Sequence, residues 1–167
     1  MADNPHLMFL VGEYFEEGKA LRGASLVTDR RTRPIEFRCT TPVRPTVYQR
    51  TLYGRILEEY LFVDLIGLPL ITTTREHVDL VLVDDARFLD ARPSSDVPIV
   101  HLMHATQAPG RPTLTLRAHR KFTADEQIAR NHLSALIEEG RDLFEPFERV
   151  RQALAQTHAQ KVGDQAN

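Results

Sequence analysis

Hydrophobic and polar positions divide this chain into strands first and helices later. Residues 6–15 (His-Leu-Met-Phe-Leu-Val-Gly-Glu-Tyr-Phe) and residues 20–28 read as two strands, and Ile35, Phe37 and Cys39 alternate with polar neighbours across residues 34–41 to predict a third. The links between them, 16–19 and 29–33, are short and polar. Short links force antiparallel neighbours, so the chain is expected to open as a three-stranded meander. Pro42 and Pro45 then stop the sheet. Thr46 and Gln49 match a capping box, in which each side chain satisfies the other's free backbone N–H. Leu52, Tyr53, Ile56, Leu57, Tyr60 and Leu61 follow on one helical face, and Gly67 and Pro69 close the helix. Gly54 inside that helix costs about 1 kcal/mol against alanine, which points to a close packing contact.

The second half continues with a nearly all-apolar stretch, residues 78–83, which predicts a strand covered on both faces, as in a parallel or mixed sheet. Residues 86–96 read as a polar loop, 97–103 as a strand, 107–112 as a Pro/Gly loop and 113–118 as an edge strand. Thr123 and Glu126 suggest a second capping box, opening a helix whose inward face is Ile128, Ala129, His132, Leu133, Leu136 and Ile137. After Gly140 a last helix, residues 143–158, turns Leu143, Phe147, Val150 and Leu154 inward. The predicted fold is α+β, with mixed α/β open: an N-terminal meander, a crossover helix, a buried strand with one or two companions, and two C-terminal helices. Residues 1–5 read as a flexible lead, 6–122 as the α/β core, 123–159 as a helical segment of the same domain and 160–167 as a flexible tail.

With 167 residues and 42% hydrophobic content, the chain is long enough to bury a core without disulfide or metal. Cys39 is the only cysteine and reads as a structural thiol. No signal segment and no apolar run approaching 18 residues is present, so a cytoplasmic location without membrane contact is expected. A net charge of −2 argues against a surface that coats nucleic acid throughout. The charge is unevenly arranged, however. Residues 30–55 hold seven arginines against one acid, whereas residues 56–100 hold nine acids against three arginines. Arginine suits bidentate pairing with carboxylate or phosphate. Arg30, Arg31, Arg33, Arg38, Arg44 and Arg50 are therefore the candidates for binding a protein partner or a phosphate backbone.

Chemistry is less marked. Asp84-Asp85 closes a buried strand, where ligands bind in open α/β sheets, and hard carboxylate oxygens suit Mg²⁺ or Mn²⁺. His101, His104 and His119 lack the companions of a zinc site, and no glycine-rich phosphate loop or Gly-x-Ser-x-Gly is present. Three antiparallel strands, a helix and a buried strand ending in aspartate resemble the front half of a ribonuclease H-like domain. That resemblance covers roughly residues 7–85 and rests on element order. It implies acids on the first strand, on the first helix and at the end of the fourth strand, here Glu13, Glu59 and Asp84, which would hold two metals for phosphodiester cleavage. With no catalytic motif elsewhere, the sequence favours a small non-catalytic subunit or adaptor of a larger cytoplasmic assembly. Such a subunit would bind a protein partner through the arginine-rich segment, with no cofactor. The alternatives are a Mg- or Mn-dependent nuclease of RNase H-like topology and a nucleic-acid-binding module.

Overall fold

A computed structural model describes residues 4–106 and 112–164. Most of the loop expected over residues 107–112, part of the lead and the end of the tail lie outside the described residues. The six strands β1 (Leu7–Phe15), β2 (Ala20–Thr28), β3 (Pro34–Cys39), β4 (Leu80–Val83), β5 (Ile99–Thr106) and β6 (Pro112–Ala118) form one mixed sheet, ordered β3-β2-β1-β4-β5-β6. The meander is present, with β1–β2 and β2–β3 antiparallel. β4 runs parallel to β1, and β5 parallel to β4. The three antiparallel strands, the helical crossover and the buried fourth strand on which the RNase H-like resemblance rests are all present. β6 returns antiparallel beside β5.

The crossover from β3 to β4 is one broken helical passage. It comprises α1 (Val47–Tyr53), a 3₁₀ turn (Gly54–Ile56), α2 (Leu57–Glu59), a π-helix (Tyr60–Gly67) and α3 (Leu68–Thr73). It covers one sheet face, packing Leu61, Phe62 and Ile66 against Met8, Leu10, Val81 and Val83. α4 (Asp125–Glu138) and α5 (Glu145–Ala159) cover the other, where Leu133, Phe147, Val150 and Leu154 meet Leu7, Phe9, Val11, Leu80 and Leu82. Period-two alternation along β1 and β4 feeds both cores, which is why both central strands read as apolar runs. Among the described residues, no helix is long and apolar enough to cross a membrane.

Three local expectations are revised. The Thr46–Gln49 capping box forms in both directions. The helix it opens does not keep one apolar face, because Gly54 takes φ +53° and tightens the next turn to 3₁₀. Leu52 (77% exposed) and Ile56 consequently point to solvent, while Leu57 and Leu61 stay buried. The polar loop expected over residues 86–96 is largely a 3₁₀ helix, Ala86–Ser94, that buries Phe88, Leu89 and Ala91. The second capping box is not made. Glu126 instead accepts from the Ala118 N–H, tying α4 to β6.

Candidate functional site

The alternation that builds the two cores also sorts the acids at the C-terminal ends of the parallel strands. Glu13 continues the Phe9–Val11 side of β1, and Asp84 the Leu80–Leu82 side of β4, so both face α5. They meet on a single side chain, Arg151. Its Nε donates to Glu13 Oε1 at 2.6 Å, one terminal nitrogen donates to Asp84 Oδ2, and the other reaches Glu148 Oε1 at 3.2 Å. Asp84 is largely buried, with 17% of its side chain exposed, and Arg151 is half-buried. Burial works against the Arg151 charge, but the Asp84 and Glu13 carboxylates outweigh it and hold the guanidinium protonated above its ordinary range.

Asp85 falls on the opposite face and has a parallel arrangement of its own. It caps the 3₁₀ helix through the Arg87 N–H and takes the Arg87 guanidinium bidentately, at 3.0 and 2.7 Å. Arg87 also reaches Glu58 at 3.2 Å and lies over the Phe62 ring, 4.0 Å from its centroid. Gly12 makes room for this stack, since a Cβ there would stand 2.8 Å from Phe62 and 3.1 Å from Phe88. Tyr14 borders the cluster, and burial together with the Glu58 charge pushes its hydroxyl above the ordinary value. Burial raises the Asp85 carboxyl, but its bonds from Arg87 outweigh that and hold it below the ordinary carboxylate range.

That depressed value sets a sign. The Asp85–Arg87 contribution to stability is complete above the unfolded carboxylate pKa of about 3.9 and fades as pH falls below it. Thermal unfolding of the wild type and Arg87→Met should therefore differ most near neutral pH, with the gap narrowing below about pH 4. A gap independent of pH would mean that packing on Phe62 carries the whole effect.

The sequence-derived acids thus divide. Glu13 and Asp84 come together on the α5 face. Glu59 is exposed on α2, in the layer on the opposite face, and Asp85 is turned away from Asp84. Glu58 rather than Glu59 approaches the strand ends, because the break at Gly54 and the following 3₁₀ turn change the phase of a regular helical wheel. Sequence reasoning also missed Arg151 and Arg87. Arg87 sits two residues from Asp85, a signal that could have been read. Arg151 borders the Phe147–Val150 stripe of α5, but its partners lie 138 and 67 residues away and no spacing rule reaches them. Among the described residues, no three His, Cys, Asp or Glu side chains converge as a metal-ligand group. His104 stacks on Phe144 at 3.6 Å, and His119 accepts from the Lys121 N–H.

The arginine segment is largely engaged within the chain. Arg33 pairs with Asp29, Arg38 with Glu36, and Arg44 with both Glu16 and Asp164. Arg30 and Arg31 donate their backbone N–H groups to Asn4 and Asp29. Arg50 is exposed beside the Tyr14 cluster, where its charge acts on Tyr14.

No protein-family model matches the chain, and no curated protein matches it. Among solved structures it is similar to endonuclease V of Ciona intestinalis in complex with a 23mer DNA containing an inosine followed by a ribo-adenosine. That likeness has 10% identity, covers 84% of this chain and 58% of that one, and has a TM-score of 0.44. A second structure of the same endonuclease, with a 24mer DNA, gives 8% identity, 84% and 59% coverage and a TM-score of 0.44. Endonuclease V from Bacillus subtilis gives 14% identity, 72% and 62% coverage and a TM-score of 0.38. The chain spans less than two-thirds of the length of each.

The expectation of a non-catalytic adaptor bound to a protein partner through its arginines is corrected. The solved chains it is similar to are endonucleases. In addition, Arg33, Arg38 and Arg44 are taken up by the chain's own acids, because each has a carboxylate within its turn or on a neighbouring segment.

Proposed function

We propose that this chain acts on nucleic acid as a divalent-cation-dependent nuclease of RNase H-like topology, with Glu13 and Asp84 as its metal-holding carboxylates. The observation that carries this reading is their meeting on one cation at the C-terminal ends of two adjacent parallel strands. Two hard carboxylates that already share one positive group fit a single Mg²⁺ or Mn²⁺, which commonly takes one or two carboxylates and completes its shell with water and substrate phosphate. They are too few for a pair of metals: the third acid that reaches the same guanidinium, Glu148, points outward at 66% exposed, and Asp85 and Glu59 lie on the other face. The chemistry such a cation supplies when bound is neutralisation of charge on a phosphodiester.

The chain's own residues account for the rest. Glu13 on β1 and Asp84 just past the end of β4 fix the position of the positive charge at the C-terminal ends of the two central strands. Arg50, exposed beside Tyr14, supplies positive charge near the ends of the same strands for the phosphate backbone, whereas Arg87 is taken up by Asp85 and Glu58 on the face opposite Glu13 and Asp84. Arg30 and Arg31 lie at the far end of β2 and are assigned at most a peripheral contact.

The test is cleavage of labelled DNA and RNA, single- and double-stranded, with Mg²⁺ or Mn²⁺ and with chelator. Metal-dependent cleavage is expected, reduced about 100-fold or more by Glu13→Gln and by Asp84→Asn. Cleavage that survives chelator or both substitutions defeats the reading. Salt-sensitive binding without cleavage would leave a nucleic-acid-binding module in its place.

A further inference from the structure

We infer that Arg151 is a built-in counter-ion that competes with the divalent cation for Glu13 and Asp84, and that it moves to Glu148 when the cation binds. The inference rests on the metal-dependent reading above but gives Arg151 a role which that reading does not assign. Arg151 touches three acids through three different nitrogens: Nε to Glu13, one Nη to Asp84 and the other Nη to Glu148. The first two contacts occupy the carboxylates that would hold the ion. The third lies outward, since Glu148 is 66% exposed and sits one helical turn before Arg151 on α5. A guanidinium that releases Glu13 and Asp84 therefore already has a partner within reach.

Charge gives the exchange its direction. Without a cation, Glu13 and Asp84 would repel each other in a half-buried site, so a resident positive group is needed. Arginine cannot leave by losing its proton, because a guanidinium stays charged at any working pH, so it leaves by rotation about its own stem. A divalent ion neutralises both carboxylates, whereas one guanidinium neutralises only one charge. Arg151 would thus keep the site closed to weakly held ions. It would also be available, once displaced, to contact a phosphate.

Mn²⁺ binding without nucleic acid, followed by the EPR signal of the free ion, tests this apart from activity. Arg151→Gln should bind Mn²⁺ about 10- to 100-fold more tightly than the wild type, the span expected from removing a competing charge-assisted hydrogen bond. Arg151→Lys, which keeps the charge, should resemble the wild type. Because Arg151→Gln leaves two acids unpaired and could misfold, a second pair of variants leaves the site intact. Glu148→Gln removes the outward partner, whereas Glu145→Gln removes an equal charge from an acid paired with Arg149. Glu148→Gln should weaken Mn²⁺ binding several-fold more than Glu145→Gln. Equal affinity in Arg151→Gln and wild type, or no difference between the two glutamate variants, overturns the inference. A wild type that cleaves with Mg²⁺ while Arg151→Gln gains nothing sinks the competition alone. An Arg151→Gln protein that binds Mn²⁺ tightly, beside a chain that cleaves nothing, sinks the nuclease reading alone.

Discussion

Asp125→Ala is expected to destabilise this protein by about 3–5 kcal/mol, the usual cost of leaving one partner of a buried ion pair alone. Asp125 opens α4 and is 3% exposed at its side chain. It accepts from Arg92 Nε at 2.7 Å and from a second Arg92 nitrogen at 3.4 Å, and its Oδ2 lies 3.4 Å from the Ile99 N–H. Arg92 is pinned from the other sides by the Ser95 carbonyl and by the Phe122 ring, 4.1 Å from its guanidinium carbon. It therefore has little freedom to swing into water when its carboxylate is removed. The pair joins the 3₁₀ helix, β5 and α4, so its loss loosens three elements together. For a chain of this size the cost corresponds to a fall in Tm of roughly 6–20 °C. Urea unfolding of the wild type, Asp125→Ala and an Arg92→Met/Asp125→Leu double variant measures it. The double variant should recover much of the loss, because an apolar pair carries no unpaired buried charge. A single-variant loss below about 1 kcal/mol would show that water reaches Arg92 in the folded state.

The second large effect is expected at Gly23, on the strand that faces the π-helix. A Cβ at this position would stand 2.0 Å from Ile66 Cγ2, with Ile66 Cβ at 3.2 Å and Leu70 Cδ1 at 3.3 Å. Ile66 is completely buried, so it cannot turn aside, and the helix itself must back away from β2. Gly23→Ala should cost about 3 kcal/mol, the upper part of the usual range for overpacking a dense core. Ile66→Ala is destabilising by itself, by about 2–5 kcal/mol, through the cavity it leaves. Together the two substitutions should cost clearly less than their sum, because the new methyl fills the space that the isoleucine vacates. Strict additivity in the double-mutant cycle would mean that β2 and the helix adjust independently, contrary to their close approach.

How far the chain could be read in advance depended on the range of the forces involved. The meander was legible because alternation and short polar links act over a few residues. The Thr46–Gln49 cap was legible because both its bonds span three residues. The phase of the crossover helix was not, since a single residue, Gly54 at φ +53°, shifts every later position on the wheel. This exposes Leu52 and Ile56 and brings Glu58 forward instead of Glu59. The opposite orientation of Asp84 and Asp85 follows from strand periodicity alone.

By itself, then, the amino-acid pattern determined that this protein carries a meander, a helical crossover and a doubly covered fourth strand ending in acids. Backbone periodicity and short links leave little choice there. Only the tertiary structure decided which charges meet. Ion pairs have no period, and Arg151 reaches Glu13 across 138 residues because β1, β4 and α5 are brought together by apolar burial that is indifferent to the charges at their ends.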